Sequence, residues 1–416
     1  VIHMKDERKE GIISGKAGEQ VEIPFSNQVL DFLAELSCLI RNDRELGRDE
    51  EIRAFGFWCR RANLERLKEK YSGNGVRLGR GLVFHITPSN IQTMFAWSMA
   101  IGLLAGNSNI IRISSRLSGT GFKLKALIED TFASSGEKET VGNMVRFVSY
   151  DSRDKERTEY FSSRCDTRII WGGDRTMEEI RKIPLKAGAG EIAFPDRTSI
   201  LLLNTDEISK LGEEELENLA HRFCMDTYNM DQNACSSPSL VFWEDGTDEN
   251  VSDENVSGYA GTQINSRAGQ VRKRWWTAVE KAAADYELTA HKVAGKFGAL
   301  CTAAMAHNNL GEMSRYGNLI WVVPVKSITE GASGLKGKFG LFYEYRIETL
   351  EELIPVITEK IQTMTFYGYQ KERLQSFIRD QRLRGIDRVV PAGQALAMDL
   401  TWDGMNLIER LSREIT

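Results

Sequence analysis

The stretch NMDQNACSSPSLVFW, Asn229 to Trp243, holds one cysteine, Cys235, among small polar residues and just ahead of a strand-like run. A structural cysteine ordinarily has apolar neighbours. Gln232, Asn233, Ser236 and Ser237 instead suit a loop whose backbone N–H groups face a ligand. A nucleophilic thiolate needs such donors, a helix N-terminus or a cation to lower its pKa. The Cys235 N–H could also hold the oxyanion formed when that thiolate attacks a carbonyl. The competing reading is a small residue in an ordinary turn.

Three other stretches fall where a strand ends. HITPSNIQ, His85 to Gln92, turns from a strand through Thr87 and Pro88 towards a helix. Ligands of open α/β sheets sit at the carboxyl ends of strands, so the Asn90 amide could be aimed into a cleft. Equally, Ser89 or Asn90 could simply cap the helix. GNSNIIRISSR, Gly106 to Arg116, ends a strand with Arg112 and Arg116 flanking Ser114 and Ser115. Guanidinium groups match phosphate geometry, so this end could hold the ribose and 2′-phosphate of a nicotinamide cofactor. A solvated strand end carrying surface arginines is the alternative. IIWGGDRTMEEI, Ile169 to Ile180, passes through Gly172 and Gly173, where a cofactor backbone or phosphate could approach closely. Its plain alternative is a helical first turn capped by Asp174. No G-x-G-x-x-G fingerprint follows the first strand. His3, His85, His221, His291 and His307 form no metal-binding set, so they read as core or helix-surface residues and no metal is expected.

The elements that must carry these loops alternate. Strand-like runs at 81–86, 109–113, 144–150, 167–173, 198–204, 239–243, 318–325, 341–347, 363–368 and 387–391 are separated by helical segments. That rhythm predicts mostly parallel sheets with helices on both faces, an α/β fold in two lobes. Residues 26–70 read as amphipathic helix, 91–105 as a buried helix too short to span a bilayer comfortably, and 245–292 as holding one extended helix. Further helices are expected at 212–226, 349–361 and 370–380. The predicted division is 1–200 as N-terminal helices and nucleotide-binding domain, 201–384 as catalytic domain, and 385–416 as a segment of uncertain attachment.

Composition limits the partners. The 416 residues carry 54 Lys and Arg against 59 Asp and Glu, a formal net charge of −5, which disfavours nucleic acid as the main partner. The six cysteines show no disulfide framework, and the charged N-terminus VIHMKDERKEG shows no secretory h-region, so a reduced, cytoplasmic protein without a membrane span is expected.

Taken in order, the Asn90 turn, Arg112 to Arg116, the Gly172–Gly173 turn and Cys235 resemble the aldehyde dehydrogenase superfamily. TPSNIQTMFAWSMAIGLLAGNSNIIRIS is similar to its Asn-bearing turn, buried helix, Ala-Gly-Asn and strand, and MDQNACSS to its nucleophilic loop. GRGLVFHITPSN (79–90) and GIDRVVPAGQALAMDLTWDGMNLIERLSRE (385–414) resemble the LuxC-type fatty acyl-CoA reductases. The resemblance implies an aldehyde dehydrogenase-like fold with a small oligomerisation element. It also implies NADPH-dependent reduction of a fatty acyl group to a fatty aldehyde through a cysteine thioester. The acyl donor would be acyl-CoA or a protein-bound acyl group, handed over by an acyl-protein synthetase partner.

Cys235 then matches the nucleophile, and Asn90 the side chain sharing its oxyanion hole. Thr87, Pro88, Arg112, Ser114, Ser115, Arg116, Gly172 and Gly173 match cofactor-binding positions. Arg112 falls where many relatives carry a ribose-binding lysine. Ser115 falls where NAD-preferring relatives carry a glutamate, and losing that carboxylate favours a 2′-phosphate. Glu191, in AGEIAFPDRTS, could match the general base, but the surrounding glycines are gone. Gly337 stands where relatives place a ribose-binding glutamate. By analogy the protein forms homo-oligomers. Met225, Met230, Trp243, Trp275 and Trp276 could wall an acyl tunnel, with ordinary core the simpler reading. Two further functions stay open: a same-fold dehydrogenase using another acyl donor or oxidising an aldehyde, and a non-reducing acyl-binding protein.

Overall fold

The computed structural model describes residues 21–73, 75–88, 91–114, 117, 119–133, 136–245, 266–328 and 330–416. Candidate residues Asn90, Ser115 and Arg116 therefore lie outside the described residues. The chain forms two compact units, one of residues up to Asp196 together with Met398–Thr416, the other Arg197–Ala397.

In the first unit β1 (Val76–Gly79) leads into β2 (Leu82–Ile86), β3 (Ser108–Ile113), β4 (Val145–Ser149), β5 (Thr167–Trp171) and β6 (Gly190–Phe194). The five strands β2 to β6 form a parallel sheet in the order β4-β3-β2-β5-β6. The chain runs outward from β2 to β4, then returns to build β5 and β6 on the other side. Such a reversal opens a crevice at the carboxyl ends of the central strands. Alternating residues serve two cores: Val83, Ile111 and Ile169 face one, Phe84, Ile110 and Ile170 the other.

The helix Met94–Leu104 is apolar all round because it is covered all round: every residue from Phe95 to Leu104 is buried. Trp97 meets Phe55 and Trp58 edge-on, at 5.1 Å each, from the N-terminal helix Glu50–Trp58 and its neighbourhood. The helix is thus core, and no described helix is long and apolar enough to cross a membrane. The Gly106–Asn107 step after it is structural. Gly106 has φ +83°, and a Cβ there would lie 2.1 Å from the Glu22 carbonyl oxygen. Asn107, fully buried, accepts from Arg80 and Gly81 N–H and donates to the Gly102 and Leu411 carbonyls.

The second unit is a seven-stranded sheet. It contains β7 (Thr198–Asn204), β8 (Pro238–Glu244), β9 (Ser314–Tyr316), β10 (Ile320–Pro324), β11 (Leu341–Ile347), β12 (Ile361–Tyr367) and β13 (Arg388–Pro391). Its order is β13-β12-β7-β8-β11-β10-β9, parallel throughout except for the edge strand β9. Ile200, Leu202 and Phe242 pack on one face, and Leu201, Leu203 and Trp243 on the other. Trp275 and Trp276 also lie in the second of these cores, so with Trp243 they are packing residues, while Met225 is exposed.

The chain then returns to the first unit. A small hairpin of β14 (Thr401–Trp402) and β15 (Met405–Asn406) precedes β16 (Ser412–Ile415), which pairs antiparallel with β1. Trp58 donates its indole N–H to the Met398 carbonyl, and Tyr71 its hydroxyl to Asp399, fastening this return.

One helical expectation needs correction, and one helix was not expected. Within 245–292 the described helix is Arg267–Ala282, and a separate helix, Ala290–Ala306, follows it. The segment 349–361 forms only a 3₁₀ turn, Leu350–Leu353. Glu352 caps that turn by accepting the Thr349 and Glu348 N–H groups. Pro355 then follows, lacking an N–H and disfavouring helix in the residue before it.

Candidate active site

Cys235 lies in the turn between the helix Glu213–Thr227, with its 3₁₀ extension Tyr228–Met230, and the amino end of β8. Two successive residues before it, Asp231 and Gln232, have φ of 53° and 59°. A left-handed conformation costs a non-glycine residue on the order of 1–2 kcal/mol, so the surroundings must hold both. They do. Asp231 Oδ1 accepts from the Tyr286 hydroxyl at 2.6 Å and pairs with Lys292 Nζ at 2.8 Å. The buried Gln232 amide donates to the Pro238 and Leu341 carbonyls at 3.2 and 3.1 Å, and accepts from Gly340 N–H at 3.0 Å.

The side chains of Gln232 and Ser237 are therefore turned inward, not offered to a ligand. Ser237 Oγ donates to the Asp226 carbonyl. What the loop does offer is amide: among the described residues the N–H groups of Ala234 and Ser236 have no hydrogen-bond partner. Gly337 belongs to the same construction. A Cβ there would lie 1.9 Å from the Leu341 oxygen and 2.7 Å from Gln232 Nε2, so the backbone at 337 must carry no side chain. A ribose-binding glutamate at this position is sterically barred by the clamp on the cysteine loop.

Asp226, buried in the last turn of the preceding helix, accepts from Gly393 and Ala395 N–H at 2.6 and 2.7 Å. Burial pushes its carboxyl up to about 7, against those two hydrogen bonds, which favour the charged form. A raised folded-state pKa favours the neutral form on folding. That stabilisation is complete below the unfolded value of about 3.9 and is lost as pH rises to about 7. The melting-temperature advantage of wild type over Asp226→Asn should therefore shrink between about pH 4 and about pH 7. An advantage that grows over that interval contradicts the assignment.

In the first unit, three of the predicted stretches come together at one edge of the sheet. Thr87 and Pro88 follow β2, Arg112 to Ser114 end β3, and Gly172–Gly173 follow β5, at the carboxyl ends of three adjacent parallel strands. Thr87 is tied to β3: its hydroxyl donates to the Arg112 carbonyl at 2.7 Å. A small cleft opens here, lined by Thr87, Pro88, Ile91, Gln92, Ile113 and Ser114 among others. The Arg112 guanidinium lies 5.0 Å over the Tyr150 ring and donates to the Tyr150 carbonyl, while its buried Nε has no hydrogen-bond partner among the described residues. Gly173 occupies the cap position of the helix Asp174–Arg181, so Asp174 is its first residue and not its cap. A Cβ on Gly173 would meet nothing within 4 Å, leaving open space above the turn.

His85 stands behind the Thr87 turn as a positioning element. It is fully buried, with Nδ1 2.6 Å from Ser98 Oγ and Nε2 2.9 Å from Asn109 Oδ1. Asn109 spends its amide on the Asn107 carbonyl, so Oδ1 faces His85 and accepts from Nε2–H. Ser98 then donates to Nδ1 and accepts from the Trp171 indole. Burial lowers the His85 pKa to about 4 and keeps the ring neutral.

Glu191 does not fit a general base. It sits on β6 with Oε2 2.6 Å from Arg168 and Oε1 2.9 Å from Arg181. Burial alone would raise its pKa, but the two arginines outweigh burial and hold the carboxyl below its ordinary range. A carboxylate with both oxygens paired is a poor proton acceptor. Among the described residues, no group of three His, Cys, Asp or Glu side chains is gathered so as to hold a metal ion.

Comparison with known proteins agrees with this layout. The family described as Acyl-CoA reductase (LuxC) matches residues 58–414. No curated protein matches the sequence. Among solved structures, a NAD-dependent benzaldehyde dehydrogenase from Corynebacterium glutamicum is similar with a TM-score of 0.61 at 12% identity, covering 94% of this chain and 85% of that one. An indole-3-acetaldehyde dehydrogenase complexed with NAD⁺ is similar with a TM-score of 0.58 at 12% identity, covering 94% and 81%. A proline utilization A (PutA) mutant from Bradyrhizobium japonicum gives 0.63 at 12% identity, and the chain spans only 42% of its length. At such identities these likenesses establish the fold, an aldehyde dehydrogenase-like α/β architecture.

Proposed function

The chain belongs to the acyl-CoA reductase (LuxC) family, and on that footing we propose that it reduces a fatty acyl group, delivered as a thioester, to the aldehyde with NADPH, through an acyl-thioester on Cys235. The observation that carries the reading is the Cys235 turn itself. A cysteine loop is held by a clamp of hydrogen bonds, with the amides flanking Cys235 unbonded among the described residues.

The strand ends of the first unit would hold the dinucleotide. Arg112, with its uncommitted Nε, would take the 2′-phosphate and ribose, Gly172 and Gly173 would admit the pyrophosphate, and Thr87, Pro88 and Ser114 would line the cleft. Ser115 and Arg116 follow directly in the chain and are assigned to the same phosphate on sequence grounds. Bound there, the dinucleotide supplies the hydride that reduces the acyl carbon.

The protein's own steps are these. The Cys235 thiolate attacks the acyl carbonyl, forming a carbon–sulfur bond. The oxyanion is held by loop amides and the Cys235 N–H, with Asn90 assigned to it on sequence grounds, each such donor lowering the barrier by about 3 kcal/mol. The carbonyl re-forms as the donor thiolate leaves, and that thiolate takes up a proton. After reduction, Cys235 departs as thiolate from the hemithioacetal and releases the aldehyde. No residue need activate water, and Glu191, held by two arginines, is assigned a structural role.

Intact-protein mass spectrometry after mixing with tetradecanoyl-CoA tests the reading. An acyl adduct on the Cys235 peptide that disappears on adding NADPH is the expected result. An adduct that persists with NADPH would support a non-reducing acyl carrier, and free acid as product an oxidising enzyme. Arg112→Ala should raise the KM for NADPH about tenfold or more, through loss of a charge-assisted phosphate contact, and change that for NADH by less than about threefold. Equal effects on both cofactors would remove Arg112 from the 2′-phosphate.

A further inference from the structure

The start of β7 carries an irregularity that the chemistry above does not use. Ser199 is opposed by more than one residue on each side. Against β8 the register passes from Ser199↔Pro238 to Ile200↔Leu240, so Ser239 is extra. Against β12 it passes from Thr198↔Ile361 to Ile200↔Met364, so Gln362 and Thr363 share the place of one residue. Such irregularities re-aim groups beside functional sites. Here the side chain fills the gap. Fully buried, Ser199 Oγ accepts from the Thr363 N–H at 3.1 Å and donates to the Cys235 carbonyl at 2.7 Å.

We propose that Ser199 is a positioning residue for Cys235, fixing the Cys235–Ser236 peptide plane so that the thiol and the flanking amides address one carbonyl. Its hydroxyl proton has a single use, because the oxygen is already committed as acceptor to Thr363. The direction of the Cys235 carbonyl is thereby set by the strand starts of the sheet and not by the loop. In a planar trans peptide the Ser236 N–H points opposite to that carbonyl, so one hydrogen bond orients both.

The inference rests on Cys235 being the nucleophile, and the experiment separates the two. Single-turnover acylation of Cys235 by tetradecanoyl-CoA is compared with its alkylation by iodoacetamide, in wild type, Ser199→Ala and Ser199→Thr, with Cys235→Ala as blank. Acyl transfer needs the oriented carbonyl, whereas the small alkylating agent needs only an accessible thiolate. Ser199→Ala should acylate about tenfold more slowly or worse, with alkylation within about threefold of wild type. Ser199→Thr, which keeps the hydroxyl, should acylate within about threefold of wild type. Wild-type acylation rates in Ser199→Ala overturn the inference alone. So does a tenfold loss in folded Ser199→Thr, which decides the matter where Ser199→Ala fails to fold. Absence of any Cys235 adduct in wild type overturns the nucleophile as well.

Discussion

Cys235→Ala should lose both acyl labelling and aldehyde formation down to background, although the protein keeps five other cysteines. The physical reason is that most of those thiols cannot substitute. Burial pushes Cys224 up to about 12 and Cys165 up to about 11, and raises Cys59 well above the ordinary thiol value. Such groups are almost entirely protonated at neutral pH, and the thiolate is the nucleophile. Cys38 and Cys301 lie within the helices Asn27–Asn42 and Ala290–Ala306, where backbone N–H groups are spent on the helix itself. Neither has loop amides to receive an oxyanion. The measurement is peptide mapping after acyl-CoA exposure, paired with an NADPH-oxidation assay. Aldehyde formation in Cys235→Ala above about 1% of wild type would exceed what residual binding without the nucleophile can supply, and would transfer the chemistry elsewhere.

Gln232→Ala should be the most damaging change near the site for stability. It strips one side chain but strands three backbone groups, the carbonyls of Pro238 and Leu341 and the N–H of Gly340. Each buried group left unpaired costs about 1–3 kcal/mol, so a loss of about 3–5 kcal/mol is expected after some rehydration. Urea unfolding measures it. Gln232→Glu is the informative control, because it keeps the shape while turning a carboxylate towards two carbonyl oxygens. It should be no better than Ala, and a near-neutral Glu variant would show that the amide protons do not carry the clamp. The left-handed backbone at Gln232 sharpens the expectation, since the strain there is offset by these same bonds.

The sheets were legible because buried parallel strands are short apolar runs bounded by turns. GLVFHI, NIIRI and TSILLLN could hardly be anything else. β6 was not recognised, since GEIAF at a sheet edge is only half apolar and Glu191 drew a chemical reading instead. The helix Ala290–Ala306 was missed because its outer face carries Phe297 and Met305, both exposed, so polar periodicity is weak. In the site, position was readable and orientation was not. Polar residues around Cys235 signalled a special turn. Nothing local to the sequence says that Gln232 points inward, because its partners Pro238, Gly340 and Leu341 reach 109 positions away. Ser199 was invisible for the same reason, its significance lying in a register that only the paired strands define. The Thr87, Arg112 and Gly172 stretches share an edge because a doubly wound sheet delivers the carboxyl ends of its strands to one side.

The pairing of β1 with β16 means that the first unit is interrupted by the whole of the second. On a ribosome the strands β2 to β6 emerge early, yet their unit cannot be finished until residues 398–416 have followed the intervening 197–397. The contiguous inserted unit has every contact it needs as soon as it is out. The discontinuous one must wait with its edge open, and must close a loop of some two hundred residues, whose entropy grows only logarithmically with length but whose search is slow. Completion of the first unit therefore follows emergence of the second. A fragment cut at residue 196 would lack the strand that covers β1 and the carbonyl that Trp58 grips.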